Sequence, residues 1–283
     1  MRLFKVLLIL TLLGVIIGGA AGSYYFLVRL PQKRDAELIA LSKVPPAPTP
    51  DPSTPDFEKA RGFRREHKYT EAREALVAML DRFPESSHRK AAEEMIGGMN
   101  VEQVLNGQPG PGKIEYLVKS GDTMDRVARH LKSNPELIFR ANNMESINLK
   151  IGQKLEIPQL DTSLEIHLAN RKVILRNRGQ FFKSYLIKTL KVPLKKNFEV
   201  KTKVFEKLAF KNGLRVAFGS KEFAGSIRAI SFVGHPGYTV FGEPDDPNSG
   251  EKAPAGGIGL AEGDAEELQT LVNNGSPVTI STE

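Results

Sequence analysis

The side chains best suited to chemistry gather near the C-terminal end. His235 stands in the run Gly234-His235-Pro236-Gly237-Tyr238, with Ser231, Ser249, Glu243, Asp245 and Asp246 close by in sequence. A serine beside a histidine can act as an activated nucleophile, and paired carboxylates can divide acid and base work. A plainer reading competes with both. His235, held before a proline, reads as a loop residue, and Glu243–Asp246 as an acidic turn closed by prolines. His167, His235 and the acids have no metal-ligand spacing, so neither a metal nor any other cofactor is expected. Cysteine is absent from all 283 residues. That removes disulfides, thiolate metal sites and cysteine nucleophiles together, and also the lipidated cysteine of a bacterial lipoprotein.

A second group of polar residues lies mid-chain, where Ser120-Gly121-Asp122-Thr123 precedes a helical pattern. Asp or Thr before a helix caps free backbone amides, so capping is the first role expected of Asp122 and Thr123. The elements around them are short. Tyr116 and Val118 mark a strand, and Met124, Val127, Ala128 and Leu131 fall at helical spacing. Leu137, Ile138 and Ala141 predict a second helix ending around Asn142-Asn143, and Leu155 and Ile157 alternate as a closing strand.

The flanks differ in kind. From Val6 to Val28 there is no charge, which is long enough for the ~20 apolar residues of a bilayer span. Basic residues lie on both sides (Arg2 and Lys5, then Arg29, Lys33 and Arg34), so charge does not set the orientation. An uncleaved anchor is favoured because the run continues past Ala20-Ala21-Gly22, the alternative being a signal peptide cleaved there. Residues 1–30 are read as this segment and 31–55 as a linker, with the proline-rich run Val44–Pro55 extended.

Residues 56–106 read as helices. Phe57, Ala60 and Phe63 lie on the first, with a turn near His67-Lys68. Ala72, Leu76, Met79, Leu80 and Phe83 lie on the second, which ends at Pro84, and a third begins near Ser87. So few helices bury little core alone, so docking on a neighbour or on another chain is expected. Gly107–Gly112 reads as a flexible break. From Leu164 the pattern alternates as strands: Leu164, Ile166 and Leu168, then Val173 and Leu175, then Phe181, Tyr185 and Ile187. Asn170-Arg171 and Arg178-Gly179 sit at the expected hairpin turns. Further strands are predicted near Phe198–Phe205, Leu214–Phe218, Ala229–Val233 and Tyr238–Phe241, then one helix over Asp264–Val272 and a last strand at Val278–Ile280.

Three resemblances follow. The segment 114–158 resembles the LysM module, on Tyr116, Val118, Gly121-Asp122-Thr123, Asn142, Leu149, Gly152-Gln153 and Ile157-Pro158. The resemblance implies binding of N-acetylglucosamine-containing glycans such as peptidoglycan in a shallow groove. Its candidate residues here are Gly121, Asp122, Thr123 and Met124 on one side and Asn148, Leu149, Lys150 and Ile151 on the other. Ala60, Tyr69, Ala72, Leu76 and Pro84 fall at the spacing of one tetratricopeptide repeat. That resemblance implies a surface for a protein partner. Residues 164–283 resemble an L,D-transpeptidase (YkuD) domain, in the opening hairpins, the helix from Ala265 and the closing Gly275-Ser276-Pro277-Val278-Thr279-Ile280.

The family acts through a cysteine acyl-enzyme, and its motif falls here on Pro254-Ala255-Gly256-Gly257-Ile258-Gly259. Ala255 stands at the histidine position, Gly257 at the cysteine and Gly259 at the arginine; Phe241-Gly242 replaces the upstream histidine-glycine. The domain is therefore expected to be catalytically dead for transpeptidation.

The fold class expected is a multidomain α+β chain: an N-terminal transmembrane helix, a TPR-like helical hairpin, a βααβ LysM module (114–158, after a 107–113 linker) and a mostly-β transpeptidase-like domain (164–283). Globular composition (40% hydrophobic, 26% charged) agrees. The net charge of +7 suits anionic wall polymers or a membrane surface, and no nucleic-acid motif accompanies it. The lysines between Lys183 and Lys211 (Lys188, Lys191, Lys195, Lys196, Lys201, Lys203 and Lys207) read as a solvated face, or as a patch for wall polymer. The expected function is non-catalytic peptidoglycan binding from the bacterial inner membrane, single-pass, with the bulk in the periplasm or cell-wall space. The alternatives are a wall-modifying enzyme with a substituted site and a regulator of active transpeptidases.

Overall fold

A computed structural model describes residues 2–42, 50–193, 197–246 and 254–282. Ser249, Lys195, Lys196 and the first half of the proline-rich run lie outside the described residues. Two compact units divide between Asp51 and Pro52. In the first, helix α1 (Arg2–Tyr24) passes through a π-helical stretch, Tyr25–Arg29, into α2 (Leu30–Ser42). Over Ile9–Ala36 this helix is long and apolar enough to cross a membrane, by length and composition, a test that a signal sequence also passes.

The second unit starts with α3 (Thr54–Arg65), α4 (Tyr69–Arg82) and α5 (Arg89–Leu105). Pro55 and Asp56 open α3 and Arg64 and Arg65 close it, in keeping with its dipole. His67 makes the turn to α4 with φ of 59°. Ala60 and Ala72 are fully buried where α3 meets α4, and the absence of longer side chains lets the two helices approach closely. Phe57, Leu76, Met79, Ile96 and Met99 complete this small core.

Strand β1 (Lys113–Leu117), helices α6 (Met124–His130) and α7 (Pro135–Ala141), and strand β2 (Lys154–Pro158) form a βααβ unit. β1 and β2 pair antiparallel, Glu115 opposite Glu156. Asn142 ties the unit together: its amide donates to the Ile138 and Glu156 carbonyls at 2.8 Å, and its oxygen accepts from the Glu156 N–H at 2.7 Å.

The remaining strands are β3 (Thr162–His167), β4 (Lys172–Asn177), β5 (Gln180–Leu186), β6 (Thr189–Lys191), β7 (Glu199–Lys211), β8 (Leu214–Arg215), β9 (Ile227–Phe232), β10 (Val240–Glu243), β11 (Gly257–Ala261) and β12 (Pro277–Ser281), with helix α8 (Glu262–Leu271). Among the described residues they join in the order β5-β4-β3-β12-β7-β9-β10-β11-β6, with β8 beside β7. β3–β12 and β10–β11 are parallel and the other pairs antiparallel. The long strand β7 links two halves: its first residues pair with β12 and its later ones with β9. Leu164, Ile166, Val173 and Tyr185 from one half share a core with Val240, Ile258 and Leu260 from the other and with Leu268 and Leu271 of α8. The hairpin turns fall where expected, with Arg171, Arg178 and Gly179 at positive φ.

Three local expectations change. The predicted strand Leu214–Phe218 shrinks to Leu214–Arg215, because the chain leaves the sheet to pack Phe218 elsewhere. Tyr238 sits in a 3-10 turn rather than a strand. Phe182, not Phe181, enters the β core. The β4–β5 pairing passes from Leu175↔Lys183 to Arg176↔Phe181, leaving Phe182 as the extra residue of a bulge. Phe181 packs instead against the helical core.

The helices dock on the sheet at this bulge. Asn100, buried on α5, donates to the Phe182 carbonyl at 2.8 Å, and Glu93 pairs with Lys172. Asn100→Ala should leave that carbonyl unmet at a buried site, destabilising the chain by about 1–3 kcal/mol. Urea titration of the purified chain in detergent checks this; an unchanged midpoint would show that the bond contributes nothing.

Candidate functional site

The two loops singled out by sequence meet at the open end of the βααβ unit. Val118 donates to the Gln153 carbonyl and accepts from Gly152 N–H, both at 2.9 Å, so the loop after β1 and the loop before β2 run side by side. Thr123 caps α6, its hydroxyl accepting from Arg126 N–H at 3.3 Å. Asp122 does not cap. Its carboxylate accepts from Lys119 N–H and the Tyr116 hydroxyl, both at 2.8 Å, and so ties the turn back to β1. Those two donors, the amide first, hold its pKa below the usual carboxylate value. Gly121 has φ of +81°, and its carbonyl accepts from the Arg126 guanidinium.

Met124 is buried, whereas Asn148 and Lys150 are exposed and Leu149 is half-buried against the unit's core. Ile151 is 75% exposed, an isolated apolar side chain at the lip of the groove. The Lys150 amide is held by the Gln153 side chain at 3.1 Å. Backbone groups on rigid loops beside an exposed apolar side chain suit a flat, amphipathic ligand such as a sugar ring.

Among the described residues, the C-terminal candidates Ser231 and His235 are not paired with each other. Ser231 donates to the Glu206 carbonyl at 3.2 Å, not to His235, whose ring lies edge-on to Tyr238 at 6.3 Å. Asp245 faces Lys188 at 3.7 Å, and its amide donates to Glu262 at 3.2 Å. His167 lies far away in sequence, on β3, beside Glu165 at 3.8 Å. Among the described residues no group of three or more His, Cys, Asp or Glu side chains converges as a metal site would.

Gly257 begins β11 with φ of +120°. A Cβ there would stand against the Thr239 carbonyl oxygen, with the Phe241 ring at 3.3 Å. At Gly259 a Cβ would lie 2.7 Å from the Glu243 carboxylate. Gly257 and Gly259 are therefore closely packed against strand β10 and the residue before it.

One polar cluster escaped the sequence reading. Glu136, in the first turn of α7, and Arg228, on β9, are both buried and pair at 3.1 Å. Arg140 and Glu266 join them, and Gln269 accepts from Arg228 at 3.3 Å while donating to the Leu208 and Ala229 carbonyls. Asn134 bridges the same seam, capping Leu137 and donating to the Thr270 carbonyl at 3.0 Å. Lys207, counted with the exposed lysines, instead sends its ammonium under α8 to the carbonyls of Gln269 and Val272, at 3.0 and 3.2 Å. An acid in a helix's first turn normally reads as solvent-facing, so nothing in the sequence marked Glu136 as buried.

Comparison with known proteins matches the LysM domain over residues 116–158. Among solved structures the chain is similar to an L,D-transpeptidase from Mycobacterium smegmatis, with 13% identity, TM-score 0.30, and coverage of 46% of this chain and 63% of that one. It is also similar to an Enterococcus faecium L,D-transpeptidase C442S mutant (17%, 0.29, covering 48% and 56%) and to an L,D-transpeptidase from Stackebrandtia nassauensis (12%, 0.30, covering 66% and 77%). The chain thus spans less than two thirds of the first two of these structures. No curated protein matches it.

Two predictions come from the seam. Glu136→Gln should leave Arg228 charged and poorly matched in a dry site, costing about 3–5 kcal/mol in urea unfolding; Glu136→Leu with Arg228→Met should return most of it. Equal stability of the single variant and the native chain would show the pair is hydrated. The second concerns pH. Burial lowers Lys207 to about 8, against the pull of Glu136. Between that value and the ordinary lysine value the unfolded chain holds a proton the folded chain has released, so stability from this group rises with pH across that window. Native stability measured relative to Lys207→Met should therefore climb from pH 8 upward; a flat difference would mean the amine titrates normally.

Proposed function

We propose that this chain is a membrane-anchored, non-catalytic peptidoglycan-binding protein, with the bulk of the chain in the periplasm or cell-wall space. Its modules would divide at 56–106, 114–158 and 164–283. The observation that carries the reading is the LysM match over 116–158, with both groove loops joined and open. Gly121–Met124 and Asn148–Ile151 would line the glycan, backbone amides and carbonyls meeting its N-acetyl groups and Ile151 covering a sugar face. A single groove binds weakly, and tethering through the N-terminal helix would raise the effective concentration of wall polymer.

The β domain would serve as a scaffold. A cysteine mechanism needs a thiolate, a base and oxyanion donors. This chain has no cysteine, and the close packing at Gly257 leaves a nucleophile no room without a backbone shift. The α3–α5 helices, resembling a tetratricopeptide repeat, would offer a surface to a protein partner beside their contact with β5.

Incubation of the purified full chain with sacculi should pellet the protein and leave the muropeptide profile unchanged. Ile151→Asp, a charge placed on the exposed lip, should lower the pelleted fraction several-fold. Absence of pelleting in the native chain sinks the glycan assignment; new cross-links or cleavage products sink the non-catalytic one.

A further inference from the structure

Beside the glycan groove lies a cavity of about 590 Å³ that belongs half to the βααβ unit and half to the β domain. Met124, Pro135 and Ile147 line one side, and Val216, Ala217 and Phe218 the other. Both loops of the groove run into it: Met124 ends the first loop, and Ile147 immediately precedes Asn148 in the second. The far wall is held by a chain of rings. Phe139 of α7 meets Phe218 edge-on at 5.7 Å, Phe218 meets Phe223 at 5.2 Å, and the Arg228 guanidinium lies over Phe223 at 3.5 Å. Gly219, at φ of +88°, passes so close to Ile147 that a Cβ would come within 2.6 Å of its Cδ1.

Polar groups sit at the edge of this apolar wall. Asp125 is exposed and has no hydrogen bond or ion pair among the described residues. Arg215 on β8 is exposed and pairs with Glu206. Apolar side chains set beside Glu136, Lys207 and Gln269, with a free carboxylate and a guanidinium at the rim, match a saccharide ring, whose faces are apolar and whose edge carries hydroxyls and amides.

We propose that this cavity is a further saccharide subsite, built jointly by the βααβ unit and the β7–β8 hairpin, which receives the next residue of a glycan lying in the groove. The proposal rests on the glycan reading above. It gives the β domain a direct binding role through the segment 215–218. Long oligomers would then bind more tightly than those that fill the groove alone.

The test is calorimetric titration of the full chain in detergent with N-acetylglucosamine oligomers, trimer against octamer. The native chain should bind the octamer about tenfold more tightly than the trimer, the scale of one added contact region. Ala217→Trp, which fills the cavity from an exposed position, should abolish that gain, and Asp125→Asn should reduce it. Ile151→Asp should weaken both ligands. If Ala217→Trp and Asp125→Asn keep the full octamer gain while Ile151→Asp weakens binding, the subsite is wrong and the groove stands. If the native chain binds neither oligomer, both readings fall.

Discussion

Arg228 carries its charge into the seam between the βααβ unit and the β domain, where 3% of its side chain remains exposed. Desolvation of an ion in such a place costs several kcal/mol, and only closely placed partners offset it. Burial accordingly lowers the guanidinium's pKa, while Glu136 opposes the shift. Glu136 supplies the countercharge from α7, Gln269 adds an acceptor from α8, and Glu266 and Arg140 extend the network toward solvent. The partners come from α7 and α8, so the charge is paired only when α7, α8 and β9 are all in place, and even then the buried Nε finds no hydrogen-bond partner among the described residues. A mobile βααβ unit would strand that charge, and the unit is therefore held as part of the larger body.

The same logic extends to the two ends of the module. Gly107–Gly112 reads in sequence as a flexible break, yet the Lys113 ammonium binds Asn106 at 2.7 Å and the Gln108 carbonyl at 2.9 Å, clasping the connection. On the far side, the Gln159 backbone N–H donates to the Gly112 carbonyl at 2.7 Å, extending the β1–β2 pairing. The helices α3–α5 dock separately, on β5 through Asn100, and this answers the expectation that so small a helical set must lean on a neighbour. A pair of loops held on a docked unit loses less freedom on engaging a ligand than one carried on a tether.

Local chemistry was legible and distant chemistry was not. The βααβ order, the helices of 56–106 and the hairpin turns at Arg171 and Arg178-Gly179 follow from periodicity and turn residues a few positions apart. The bulge at Phe182 was hidden because simple alternation with Tyr185 and Ile187 points Phe181 inward, and only the extra residue in the β4–β5 pairing, which leaves no mark in the sequence, reverses that choice. Lys207 was read with its exposed neighbours because strand alternation does not say which face a covering helix will occupy. Glu136 and Arg228 are 92 residues apart, and neither carries a local sign of its partner. In the groove, the sequence placed both loops but gave Asp122 the wrong duty: a carboxylate one residue from the cap binds the preceding turn instead.

The glycines of β11 are fixed by close packing against β10 and the residue before it. Here the backbone of Gly257 takes a φ of +120°, which L side chains rarely adopt, and the space before it is taken by the Thr239 carbonyl and the Phe241 ring. Phe241 is itself almost fully buried, and β10 pairs with β11 directly across this point, Phe241 opposite Gly259. Restoring a side chain at 257 would thus require moving two paired strands and the ring between them. These strands contribute to the core that faces α8, and it is through that helix that the β domain holds Arg228.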